Sequence, residues 1–149
     1  MLFSFFRNGL VKVTFETTPK MSTYLIAFIV SEFKCVSGKN AADGTPTEVC
    51  GRPGTEGTFS VALEAAPAAL DTMQGFTHFE YAKLGNKKMT QAAIPDFAIG
   101  AMENWGMITY RYSPKTNFHV LQATIAENRI FYGTKTNHQT MTNKLFMAI

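Results

Sequence analysis

The stretch "PDFAIGAMENWGMITYR", Pro95 to Arg111, sets an apolar run on either side of a short polar loop, Gly100–Gly106, which holds one carboxylate, Glu103, between Met102 and Asn104. "TQAAIPDFAIG" before the loop and "WGMITYRY" after it read as strands. Gly100 and Gly106 permit unusual backbone angles and the close approach of another chain. An acid on such a loop, at the end of a strand, suits recognition of a cation. If "WGMITY" lies at a sheet edge, an extended peptide can pair with it and present a positive amino terminus to the acid. The residues alone leave a second reading open, in which Glu103 is a solvated turn glutamate.

Working upstream, "HFEYAKL" alternates in the manner of a strand, and Gly85 to Lys88 makes a polar turn. "TFSVALEAAPAALDTMQGF" places Phe59, Ala62, Leu63, Ala66, Leu70 and Met73 at helical spacing in an Ala-rich setting. Pro67 is expected to kink that helix and Gly75 to end it. Ser37 to Thr58, with five glycines and two prolines, is the strongest loop signal in the chain and the expected domain boundary. Before it, "LVKVTFET" puts Val11, Val13 and Phe15 on one face at period 2. "MSTYLIAFIVSEF" follows as a longer strand with a buried middle, adjacent and antiparallel to the first.

Bulk composition narrows the function classes. Apolar residues make up 46% of the 149 and aromatics 13%, enough for a packed core. Ten Lys/Arg up to Tyr112 are balanced by ten Asp/Glu, and the net +3 arises beyond it, from Lys115, Arg129, Lys135 and Lys144 against Glu127. No basic stripe of nucleic-acid type results, so no nucleic-acid partner is expected. Cys35 and Cys50 flank the glycine-rich loop, either bridged or as two thiols. "MLFSFF" is shorter than a leader-peptide core, and "YLIAFIV" is too short to span a bilayer.

"GAMENWG", preceded by "IPDF" and followed by "ITYR", closely resembles the signature of the zinc aminopeptidases of the aminopeptidase N type. "TPKMSTYLIAFIVSEF" resembles the end of that family's N-terminal β domain, and "RPGTEG" with the helix after it the start of its thermolysin-like catalytic domain. The resemblance runs from about Leu10 to Arg111. It implies an α+β chain: the C-terminal part of a β-sandwich over residues 1–50, the opening sheet and helix of a thermolysin-like domain over 51–112, and a divergent tail over 113–149. It also implies that Glu103 binds the α-amino group of a peptide substrate. Gly100, Ala101 and Met102 would line the first subsite with their backbone, and Asn104 would hold the loop in shape. The family works mainly at cell surfaces or outside the cell, with some cytosolic members.

The resemblance further implies zinc for the intact family fold, held by two histidines of H-E-x-x-H and a glutamate on the next helix. Residues at i and i+4 share a helix face and can reach one ion. Here His78, His119 and His138 are too far apart for that spacing, and His138 has no partner at i+4. "TIAENRIFYG", with Glu127 and Gly133, is only loosely similar to the region around the family's zinc helix and has no histidine. No catalytic or metal-ligating residue is therefore assigned, and the chain is expected to be inactive alone, as a truncated record or a divergent short form would be. Two functions are weighed: a fragment of an N-terminal-residue-removing peptidase, and a non-catalytic binder of peptide N-termini or of a full-length relative.

Overall fold

Five strands hydrogen-bond into one mixed sheet, with a single long helix against it, in a computed structural model that describes residues 2–5 and 11–112. The α+β class expected from sequence is therefore present. A separate antiparallel pair comes first: β1 (Leu2–Phe5) and β2 (Val11–Thr14), in a register that sets Leu2 opposite Thr14.

The long strand expected over "MSTYLIAFIVSEF" does not form. A single 3-10 turn spans Thr23–Leu25, and no described strand pairs with residues 26–30. Leu25 is buried, whereas Phe28 and Val30 are 79% and 90% exposed. A strand needs a neighbour to take its N–H and C=O groups, and apolar alternation alone cannot supply one. The same holds for "HFEYAKL", which forms a 3-10 turn at Tyr81–Leu84 rather than a strand.

The mixed sheet begins with β3 (Lys34–Ser37) and β4 (Thr47–Gly51), an antiparallel pair. The helix α1 (Ser60–Thr77) leads on to β5 (Met89–Pro95), which lies parallel to β4. Parallel neighbours need a long crossover, and α1 supplies it. After β5 come the two-residue β6 (Ala101–Met102) and then β7 (Met107–Tyr112). The order across the sheet is β3-β4-β5-β7-β6, with β7 parallel to β5 and antiparallel to β6. Since β3 and β4 share the sheet of β5 and β7, a division between residues 50 and 51 cuts through β4. The expected tail, 113–149, lies outside the described residues, with His119, Glu127, Gly133 and His138.

Helical spacing in α1 buries Ala62, Ala66 and Leu70, with Phe59 packed beneath the first turn. Phe59, Ala62 and Leu70 meet Val49 of β4, Met89 of β5, and Ile108 and Tyr110 of β7 in one core. The helix runs through Pro67 and past Gly75 to Thr77, where His78 takes the left-handed capping conformation at φ 54°. Met73 is only half-buried, so the core face of the helix ends near Leu70.

Carboxylates tie the loops down around this core. Asp43 accepts from the Thr45 and Ala82 amides, both at 2.9 Å. Partial burial raises its carboxyl, but those donors together outweigh burial and hold it below the usual aspartate value. Glu48 is likewise held low against its burial by Lys88 and the Thr90 hydroxyl.

Cys35 and Cys50 face each other across β3 and β4 and are bridged, with a sequence separation of 15. A bridge of that loop length stabilises by about 3 kcal/mol in the chain-entropy model. Reduction is therefore expected to lower unfolding free energy by about that amount. Urea unfolding with and without a phosphine reductant checks it, with the exposed Cys35 side giving the reductant access.

Candidate functional site

The connection from β5 to β7 carries all five residues given a substrate-binding role from the sequence, Gly100 to Asn104. It leaves β5 at Pro95, crosses over β7 and returns as β6, which lies at the outer edge of the sheet. The edge is thus Ala101–Met102, whereas "WGMITY", the strand considered for that place, lies inside between β5 and β6. Register placed β6 outside; no local pattern in a two-residue strand could have shown it.

Ala101 lies opposite Tyr110 and Met102 opposite Thr109. The Arg111 amide donates to the Gly100 carbonyl at 2.9 Å. By the alternation of an antiparallel ladder, the N–H and C=O of Ala101 then point away from β7, toward the open edge. Gly100 is exposed, its backbone is not left-handed, and a Cβ built on it meets nothing within 4 Å. No internal contact therefore requires glycine there, and the absent side chain leaves free space beside the edge. Gly106 is different: its φ of +79° calls for glycine in the turn that leads into β7.

Glu103 follows β6 directly and is buried, at 5% exposure. The solvated turn glutamate is thereby ruled out. Among the described residues, no hydrogen bond or ion pair reaches its side chain, so the carboxyl oxygens keep their accepting capacity. A carboxylate whose accepting capacity is free can take a cationic ligand through charge-assisted hydrogen bonds, the stronger kind.

Asn104 is equally buried and fully engaged. Its Nδ2 donates to the Leu25 carbonyl at 3.4 Å, and its Oδ1 accepts from Thr109 Oγ1 at 3.1 Å. The same Leu25 carbonyl accepts from the Trp105 amide at 3.3 Å, and the Asn104 carbonyl accepts from the Met107 amide at 3.1 Å. One step on, the Gly106 amide donates to the Tyr81 hydroxyl at 3.0 Å, where Asn86 Nδ2 also donates at 3.2 Å. Burial pushes the Tyr81 phenol up to about 12, although those two donors pull the other way. Leu25, Tyr81 and Thr109 thus brace the loop from three segments. Sequence reasoning missed them, since Leu25 sits in an apolar run and Tyr81 in what looked like a strand.

The described residues do not fit a zinc ion. Cys35, Glu48 and Cys50 bring three donor atoms within 4.8 Å of one another, but both sulfurs are spent in the disulfide. Glu48 is occupied by Lys88 and Thr90. His78 is exposed at the end of α1.

Residues 61–128 match the Peptidase family M1 domain, a match that continues past Tyr112. A "Membrane alanyl aminopeptidase" of Heliothis virescens is 51% identical over 100 residues, which cover 65% of this chain and 10% of that protein. A "Membrane alanyl aminopeptidase" of Manduca sexta is 42% identical over 127 residues, 80% of this chain and 12% of the other. "Endoplasmic reticulum aminopeptidase 2" of Bos taurus is 43% identical over 115 residues, 74% and 12% respectively. The chain spans about a tenth of the length of these curated relatives.

Proposed function

Because the chain belongs to peptidase family M1 and spans about a tenth of the length of the aminopeptidases it matches, we propose that its Gly100–Asn104 loop reads the free amino terminus of a peptide. Glu103 would take the α-ammonium group. Ala101, with its outward N–H and C=O, would pair with the first residues of the peptide as an added strand, while Gly100 and Met102 line the same edge. Asn104 would hold Glu103 in place. The observation that carries this reading is a largely buried glutamate whose carboxyl has no described partner, placed directly after an unpaired sheet edge.

The electrostatics favour a terminal amine over an internal peptide bond. An internal residue offers a neutral N–H, which gives a buried carboxylate a weaker bond than an ammonium does. In the relatives, peptide hydrolysis is expected to rest on zinc, which the described residues do not fit. Recognition without cleavage is therefore the role proposed for this chain by itself. Whether it acts alone or beside a full-length relative, the ligand class is the same.

We further propose that the thermolysin-like sheet begins at Lys34 rather than at residue 51, with the segments before it standing for the end of the β domain. The paired cysteines and the membrane and endoplasmic-reticulum names of the relatives support a secretory or extracellular setting.

Titration calorimetry with a tripeptide and its N-acetylated form tests the reading. The free-amine peptide is expected to bind at least about 10-fold more tightly, the least a charge-assisted hydrogen bond should contribute. Equal binding of the two forms would sink the proposal.

A further inference from the structure

The entry into the edge strand is held by one residue. Arg111 of β7 donates through Nε to the Phe97 carbonyl and through Nη2 to the Ala98 carbonyl, while its own amide donates to the Gly100 carbonyl. Three carbonyls of the Asp96–Gly100 connection are thus gathered onto a single side chain and its backbone. Asp96, at φ 53°, turns the chain out of β5, and the side chain of Ile99 is left at the surface.

β6 makes this matter. A strand of two residues has almost no ladder of its own and would fray if its ends were loose. Its exit is fixed by Asn104 and Tyr81; its entry is fixed by Arg111. The planar guanidinium sets two N–H donors at a fixed spacing, so it fixes the carbonyls relative to each other as well as to β7.

From this geometry we infer that Arg111 is a positioning residue for N-terminus recognition: it sets the height of the Ala101–Met102 edge, and with it the place of Glu103. The inference rests on the proposed role of Glu103, but acts through the backbone rather than through charge. Arg111 is exposed and makes no described ion pair, and its guanidinium hydrogens go to neutral carbonyls.

Two variants separate the alternatives. Arg111→Lys keeps the charge and loses the fork; Arg111→Gln loses both. The full chain is followed by amide hydrogen exchange over residues 97–102, and by calorimetry with the free-amine tripeptide. Both variants are expected to raise exchange over that segment about 10-fold or more and to leave α1 and β5 unchanged. Both are expected to weaken peptide binding about 10-fold. Arg111→Lys behaving as wild type in exchange and binding overturns the inference, because charge alone would then suffice. Faster exchange with unchanged affinity also overturns it, because the clamp would then be structural only. If the wild-type chain does not prefer the free amine, the role of Glu103 fails. Unchanged exchange in Arg111→Lys would then still refute the clamp, and faster exchange would leave Arg111 a structural clamp and refute its part in recognition.

Discussion

Glu103→Gln is expected to weaken binding of a free-amine peptide by about 10- to 100-fold, the range that corresponds to losing a charge-assisted hydrogen bond of about 1.5–3 kcal/mol. Gln keeps the shape and one accepting oxygen, so the loss reports the charge. No described group pairs with the Glu103 side chain, so the substitution strands nothing in the fold. The thermal midpoint should hold steady, while affinity for the N-acetylated peptide should not change. Calorimetry on the two peptides, with a melt of each protein, reads both arms. A fall in affinity for both peptides together with a lower midpoint would mean that Glu103 supports the fold instead.

The largest effect on stability is expected at Phe59→Ala, at about 3–5 kcal/mol. Phe59 is fully buried, between the first turn of α1 and the sheet. Its ring lies so close to the Gly51 backbone that a Cβ there would come within 2.8 Å. Such packing leaves little room for neighbours to collapse into the void. Its carbonyl still accepts from the Leu63 amide at 2.9 Å, so the start of the helix survives and the loss is one of packing. Set against a typical total of 5–15 kcal/mol, this is a large fraction, and the midpoint should fall by more than about 10 °C. Urea unfolding gives the free energy directly. A cost below about 1 kcal/mol would mean that the core is not built around this residue.

Much of the sheet-and-helix part was legible because its signals are local. The spacing of Ala62, Ala66 and Leu70 is enough to mark a helix and its buried face, and the runs around Gln91 and Ile108 mark strands. What was not legible depends on partners far away in sequence. "YLIAFIV" has a strand's composition, yet its conformation is decided by whether a neighbour is present. Which strand forms the edge was not legible, because sheet order is set by register and β6 is too short to leave a pattern. Glu103 was found through its motif, and so was Asn104 as the residue that shapes the loop; that Glu103 is buried, and that Asn104 is tied to Leu25 and Thr109, needed coordinates. Arg111 gave no signal, since an arginine ending a strand usually faces water.

The Leu25 carbonyl, which takes hydrogen bonds from Asn104 and Trp105, lies 79 residues from Asn104 in the chain, in a segment outside the mixed sheet. Local opening of that segment would leave the core standing but release the loop, so only a fraction of molecules would be competent at any instant. Apparent affinity scales with that fraction. Whatever holds residues 23–25 down, whether a neighbouring strand, a covering domain or a crowded solution, would then tune recognition without touching the ligand.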